Sequence, residues 1–499
     1  MQQTNKKWYS GMLSNEDWWS AWLGLFFFLL GLLSIWGLDA VGWIAKPKTW
    51  EWTHLMSDFS WSKLLKTSSK NYHDLHPLFS LFVTYIVFLT LTGIGAFFQK
   101  LNLKKYIIGF SFIFFFTWLA WIIGHEAHLS AVDAIVKGHN YYQEFQLGWG
   151  LQLGGGASYI LALLIGLSFG NIFKNFGHKI KEAAKPEWFI KTGIVLLGIK
   201  LGMMTMKASG FTYELAISGA AAAFVAYLLF WPISYYVSRR YFKLNRNSAA
   251  VFSSGISICG VSASIATAGA IKSKPIIPIA VSTLILIFAM IELVVLPPVY
   301  TNLSPNQPIV NGAAMGMTVK TDGADAAAGA ILDELMISKH LKKTGEQWEE
   351  GWILSAALLT KIWIDIFIGI WAFVLAWIWI RKVENKNIKE KIPKSEIWFR
   401  LPKFVLAYML VWFIYLGLMY FVPDVLDDAK LGGNIVQGSF RKLMFMLTFL
   451  SIGVITDFSK LKGMGRLTLL FVFMLLVIIA PIAYLVAYLL HHGMMPPII

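Results

Sequence analysis

Charge is scarce in this chain. Of 499 residues only 14% are Asp, Glu, Lys or Arg, against 57% hydrophobic. A soluble domain carries about 25% charged residues, so a single large soluble core is excluded. Cysteine is nearly absent: Cys259 stands alone, which excludes a disulfide framework and a cysteine metal cluster. Acid is short relative to base, with 28 Asp and Glu against 43 Lys and Arg, a formal charge of +15. In a soluble chain that excess would point to nucleic acid. In a membrane chain Lys and Arg collect in cytoplasmic loops and set topology, and no nucleic-acid partner is expected. The opening stretch MQQTNKKWYSGMLSNEDWW lacks the short apolar core and small-residue cleavage site of a signal peptide. Nucleophile elbow, P-loop and Gly-rich dinucleotide fingerprint are also missing, so neither enzyme activity nor a cofactor is expected.

What the chain has is long apolar runs. WLGLFFFLLGLLSIWGL (22–38) and LLFVFMLLVIIAPIAYLVAYLL (469–490) can span a hydrocarbon layer as helices. The fold class expected is an all-α polytopic membrane protein of about 13 spans. The basic stretches RRYFKLNR (239–246), RKVENKNIKEKIPK (381–394) and KLKGMGR (460–466) read as cytoplasmic. The uncharged TNLSPNQPIVNG (301–312) and the acidic PDVLDD (423–428) read as external. Alternation then places the N-terminus inside and the C-terminus outside, in an inner (plasma) membrane. The loop 47–71 falls outside despite several lysines.

Two apolar segments, 249–271 and 313–336, are weak as spans. If both cross, KSK (272–274) lies outside and the uncharged 301–312 loop inside, against the charge rule; if neither crosses, both loops move to their expected sides and downstream orientation is unchanged. Both segments are therefore expected to be re-entrant or broken. GISICGVSASIATAGAIKSKP (255–275) explains the choice of residues: small side chains let backbones approach, and irregular backbone at membrane depth is tolerated where it is buried or lines a cavity. Half-helix N-termini there suit an anion. Tight helix packing without a substrate is the competing reading.

GIVLLGIKL (193–201), GISICGVSASIATAGAIK (255–272) and FLSIGVITDFSKLKGMG (449–465) resemble the YeiH-type membrane protein family, to which sulfate export is ascribed. The resemblance covers roughly 147–490. It implies a core of about ten helices with inverted repeats and two discontinuous helices at the centre. The domain reading that follows is an N-terminal membrane extension of about three helices over 1–146 and a transporter core over 147–499, with repeat one about 147–300 and repeat two about 313–490. VKTDGADAAAGAI (319–331) keeps the family's small Ala-Ala-Gly character and departs from it just before.

The residues expected to bind substrate are Ser257, Cys259, Gly260, Ser262, Ser264, Thr267 and Lys361. Lys361 and Asp365 stand four apart, on one helix face, and can pair internally. Lys361 also has a counterpart in the family pattern. Asp322, Asp325 and Asp365 are the expected coupling residues, because desolvated carboxylates bind protons or a cation. Glu292 is isolated in an apolar run, where a protonated structural Glu is the blander reading. Lys200 is expected to snorkel at a helix end. His125, Glu126 and His128 read HEAH, which is not HExxH, and no metal is expected there or elsewhere. The expected function is secondary transport of a small anion, as a sulfate, sulfite or sulfonate exporter. A passive anion channel is the alternative, with a membrane enzyme behind it. The partners expected are the anion, a proton or sodium ion, membrane lipid and a second copy of the chain in a homodimer.

Overall fold

The computed structural model describes residues 11–135, 139–207, 209–274, 276–379, 403–461 and 463–499. The basic stretch 381–394, expected to be cytoplasmic, lies outside the described residues.

Helix starts follow local chemistry. Asn15 caps α1 (Glu16–Leu32) by accepting from the Asp17 amide, with Glu16 and Asp17 in the first turn, where the helix dipole favours negative charge. Pro77 opens α2 (Pro77–Phe98), a position where the missing N–H has no intrahelical partner to lose. Asn102 caps α3 (Leu103–Ile123), accepting from the Lys105 amide at 3.0 Å. Between α1 and α2 lies a short antiparallel pair, β1 (Ala45–Pro47) and β2 (Leu65–Thr67), in the register Ala45 opposite Thr67.

Seven described helices are long and apolar enough to cross a membrane, and up to nine if each of two bent pairs counts as one span. Their surfaces agree. In α2 only 33% of the apolar window is buried inside the protein, and Phe79, Phe82 and Phe97 are exposed. That surface suits lipid, whereas in water it would be an aggregation liability. The protein is an all-α polytopic membrane protein.

The longer helices beyond α3 build, together with α1, two bundles. They are α4 (Gly156–Asn171), α5 (Pro186–Lys207), α6 (Ser209–Val225) continuing through a π segment into α7 (Trp231–Arg240), α8 (Arg246–Ser257), α9 (Gly260–Ala270), α10 (Ile276–Leu303), α11 (Pro308–Thr318), α12 (Asp322–Thr344), α13 (Trp352–Ile366), α14 (Ile368–Ile378), α15 (Lys403–Phe421), α16 (Leu426–Ile435), α17 (Arg441–Ile455), α18 (Gly465–Phe473) and α19 (Ala480–His491). The first bundle gathers α1, α4, α5, α15 and α17. Its backbones touch: a Cβ on Gly166 of α4 would stand 2.2 Å from the Leu450 carbonyl oxygen of α17, the close approach that small residues permit. The second bundle gathers α6 to α13 with α19. Helix α12 packs on both, against α10 and α13 on one side and α4, α5 and α17 on the other.

The two weak segments are re-entrant hairpins. Across the break after Ser257, Thr267 Oγ1 donates to Ser254 Oγ at 2.7 Å and a Cβ on Gly255 would stand 2.4 Å from Ser264 Oγ, so α9 folds back along α8 and the two run antiparallel. In the second hairpin the direction follows from α13. Gly312 and Gly316 of α11 lie against the carbonyls of Ile353 and Ala357, a parallel pairing. Gly329 of α12 lies against Ala357 while Asp333 accepts from the Ile353 amide, an antiparallel pairing. Helices α11 and α12 are therefore antiparallel to each other. The first hairpin ends where α10 begins and the second begins beyond its end. With 28 residues, α10 is about 42 Å long, so the hairpins enter from opposite faces. The re-entrant form, one of the two left open by the charge pattern, is the one present. Between 147 and 300 the hairpin follows α4 to α7; between 313 and 490 it comes first.

Each face is tied together by its own contacts. At the N-terminal face Asp17 pairs with Lys191 at 3.3 Å and accepts from the Lys403 amide. At the C-terminal face the final residues return to the α12–α13 loop, where the Ile499 amide donates to the Gln347 carbonyl at 2.9 Å.

Candidate functional site: the hairpin tips

The tips meet. Helix α8 ends at Ser257, Ile258 and Cys259 leave the helical region, and α9 starts at Gly260. Helix α11 ends at Thr318, Val319 is extended, and Thr321 caps α12 by accepting from the Ala324 amide at 3.2 Å. Two breaks at membrane depth orphan backbone groups, which must be satisfied within the protein. They satisfy one another: the Gly260 amide donates to the Lys320 carbonyl at 2.5 Å. The Ile258 carbonyl accepts from Lys361 Nζ at 2.6 Å. A Cβ on Gly260 would stand 2.4 Å from Ile285 Cγ2 and 3.1 Å from the Lys320 oxygen, so only glycine fits without displacement.

Around this contact the structure assembles ionisable groups. Lys361 lies 3.6 Å from Asp365, and each side chain is 3% exposed. Cys259 Sγ donates to Asp322 Oδ1 at 3.4 Å. A carboxyl oxygen of Asp322 and one of Asp365 lie within 4.8 Å of each other, close enough that one proton held between them would relieve their repulsion. Asp325 follows one turn later, fully buried, and among the described residues neither of its oxygens has a hydrogen-bond partner. The same holds for Ser257 Oγ.

Three expected binding residues sit elsewhere. Ser264 Oγ bonds back to the Gly260 carbonyl at 2.6 Å, and Thr267 bonds to Ser254, itself held by Trp231 Nε1 at 2.9 Å. Both hydroxyls join the hairpin arms. Ser262 is on the exposed side of α9. Lys320, not singled out from the sequence, is buried at the second tip with its ammonium bonded to the Met317 carbonyl and 5.4 Å from the Phe230 ring centre. The signal was available, as a lysine inside the small-residue run TVKTDGAD. Glu292 is buried within electrostatic reach of Lys320 and Lys361. Four carboxyls, Asp322, Asp325, Asp365 and Glu292, thus stand near three ammonium groups, Lys320, Lys361 and, beside Asp322, Lys191.

Among the described residues one group has three convergent metal-type donors: Cys259, Asp322 and Asp365, within 4.8 Å of one another. The Lys361 ammonium beside Asp365 already supplies positive charge there. The HEAH side chains are used locally. His125 Nδ1 lies 2.9 Å from the Trp121 carbonyl oxygen, and Glu126 accepts from the His128 amide at 3.0 Å as a helix cap. Lys200 does not end in a snorkelling position but pairs with Glu349 at 2.9 Å.

A cavity of about 110 Å³ lies between the bundles. Glu187, Met290, Thr321, Ala324, Thr456 and Asp457 are among its lining residues, so it runs from the N-terminal face to the second tip. At the C-terminal face ion pairs close the same seam. Lys442 of α17 pairs with Glu334 of α12 at 3.4 Å and with Glu350 at 3.3 Å. Glu334 also accepts from the Gly155 amide at 3.2 Å.

Fold and site together define a polytopic helical membrane protein centred on two opposed re-entrant hairpins. The chain belongs to the family described as Conserved hypothetical protein 698, whose pattern matches residues 151–472; this is the YeiH-type UPF0324 membrane protein family. It is similar to a UPF0324 membrane protein of Nitrosomonas europaea, 55% identical over 100% of both chains. One from Rhodopirellula baltica is 31% identical over 75% of this chain and 61% of its own. One from Nitratidesulfovibrio vulgaris is 28% identical over 79% of this chain and 60% of its own. No solved structure matches the chain.

Proposed function

We propose that the protein is a secondary transporter of a small anion that works by alternating access around the hairpin tips. The observation that carries this reading is the tip contact, Gly260 to Lys320, set between two bundles with a cavity toward one face and ion pairs across the other. A central site open to one face at a time is what alternating access needs. The N-terminus of α9 directs its first amides and the positive end of its dipole toward the tips, which favours an anion. Asp322 and Asp325 already occupy the first turn of α12. The surplus of carboxyls over ammonium groups repels an anion until protons or a sodium ion neutralise it, so anion and cation would bind together. Sulfate, sulfite and sulfonates, moved outward, are the substrates and direction that the resemblance supports. The charge pattern supports an inner-membrane location with the N-terminus in the cytoplasm and the C-terminus outside. No catalytic step is part of this reading.

The test is uptake of radiolabelled sulfate, sulfite, thiosulfate, a sulfonate and bicarbonate into proteoliposomes under imposed pH and sodium gradients. Saturable flux of one anion, driven by one gradient and in the direction that gradient sets, is the expected result. Flux that is linear in concentration and indifferent to both gradients would identify a channel instead.

A further inference from the structure

We propose that Glu187 is the residue through which protons pass between the inner cavity and the Asp322–Asp365 carboxyl pair. The inference rests on the transporter reading, and it names the path of the coupling ion. Glu187 lines the cavity together with Thr321 and Ala324, the residues that flank Asp322 and Gly323 at the second tip. Its side chain is 38% exposed, so water reaches it, whereas Asp322, Asp325 and Asp365 are buried. Its carboxylate is also pressed against the start of α12: a Cβ on Gly323 would stand 2.9 Å from Glu187 Oε1. Glycine at 323 is what admits the carboxylate, and Asp322 is the next residue along.

The charged surroundings suit a relay. Glu187 faces Lys191 at 3.6 Å, and Lys191 is held by Asp17 at 3.3 Å; Glu16 and Asp322 are its other charged neighbours. Asp322 faces Lys361, Lys191, Cys259 and Asp365, while Asp365 faces Lys361, Asp325 and Tyr227. Lys191 thus stands near both Glu187 and Asp322, and its charge offsets the repulsion of carrying a proton vacancy from one to the other. In the step itself an O–H bond forms on Glu187 as a hydronium ion in the cavity gives up a proton and becomes water. That bond breaks as the proton passes to the Asp322 carboxylate, and the reverse sequence returns it. Glu187 belongs to α5 in the first bundle and Asp322 to α12 in the second. Relative movement of the bundles would therefore disconnect the relay and keep protons from leaking through.

The competing account is an i,i+4 ion pair that only steadies the start of α5. Hydrogen–deuterium exchange of the buried protonated carboxyl separates the two, read by infrared spectroscopy on the full chain in liposomes after a change from H2O to D2O. The band is identified as the one that Asp365→Asn removes. Glu187→Gln should slow its exchange about tenfold or more, the scale of a lost acid–base group. Glu187→Asp should restore most of the rate. Gly323→Ala leaves every titratable group in place and favours helix, yet should slow exchange as Glu187→Gln does, because its methyl displaces the carboxylate. Wild-type exchange in Glu187→Gln or in Gly323→Ala overturns the proposal, and so does the absence of any protonated carboxyl band that Asp365→Asn removes. No transported anion enters this measurement, so it stands or falls separately from the flux assay.

Discussion

Lys361 has two tasks at once. It satisfies the Ile258 carbonyl that the hairpin break orphans and it partners Asp365. Removing one member of a buried pair leaves the other uncompensated, at a cost of about 3 kcal/mol or more. Lys361→Met should therefore lower the unfolding free energy in detergent by that order and abolish anion binding, measured by calorimetry on the same preparation. Lys361→Met with Asp365→Asn should recover part of the stability without the binding. Equal stability of the single variant and the wild type would remove Lys361 from the tip. Asp325 has unpartnered oxygens in the same region. Asp325→Asn should flatten the pH dependence of flux while anion affinity is retained; an unchanged profile would assign Asp325 to packing. Gly260→Val should insert and fold as the wild type does in size-exclusion profiles but lose flux, since its side chain meets Ile285 and the Lys320 carbonyl. Normal flux in an inserted Gly260→Val protein would show that the tips do not form the site.

Hairpins and crossing helices make opposite predictions for labelling. In a Cys259→Ser protein, cysteines at Arg246 and Lys274 bracket the first hairpin. Both should react with an impermeant maleimide from the same side of the membrane. Cysteines at Asn306 and Thr344 should both react from the other side. A crossing helix would place the members of each pair on opposite sides. The loop between α1 and α2 carries a separate device. Glu51 is buried, which raises its pKa, but hydrogen bonds from the Thr53 side chain and amide and from His54 outweigh burial and bring it down from 4.5 to about 2. A carboxyl with a depressed folded-state pKa stabilises above its unfolded value and loses that contribution as pH falls through the folded one. The start of the helix Trp52–Ser57 should thus loosen between pH 4.5 and about 2, read as amide exchange there. Glu51→Gln should already be loosened at neutral pH and show no further change across that window.

The two bundles are closed on one face by charge. Lys442, Glu334 and Glu350 are partly exposed, so their pairs are screened and worth about 1 kcal/mol together. Lys442→Gln should shift the population toward opening at the C-terminal face by a factor of about five. Reaction of the native Cys259 with an impermeant thiol reagent from that face should rise accordingly. An unchanged rate would mean that apolar packing of α12 on α4 and α17, rather than charge, keeps the face shut.

Much of this molecule is legible along the chain. Apolar runs, scarce charge and the placement of Lys and Arg determine an all-α polytopic membrane protein, because the bilayer tests each helix largely by its own composition. The two weak segments are legible as anomalies for the same reason, since GISICGVSASIATAGA is too polar and too small to hold a lipid-facing span. That they fold back was decided by α13, whose carbonyls admit Gly312 and Gly316, and by hydroxyl contacts between α8 and α9. The site divides in the same way. Lys361 and Asp365 are paired by helical spacing alone, a local relation. Residues as far apart as Cys259, Asp322 and Asp365 converge only when the tips meet. Ser264 and Thr267 have the composition of a binding site and serve as the seam of a hairpin, because a hydroxyl's partner is set by distance in space. Glu187 reads as an ordinary first-turn acid until the cavity and Gly323 are seen beside it. Burial, proximity and access to water belong to pairs of residues from different helices, and no single stretch of sequence contains both members.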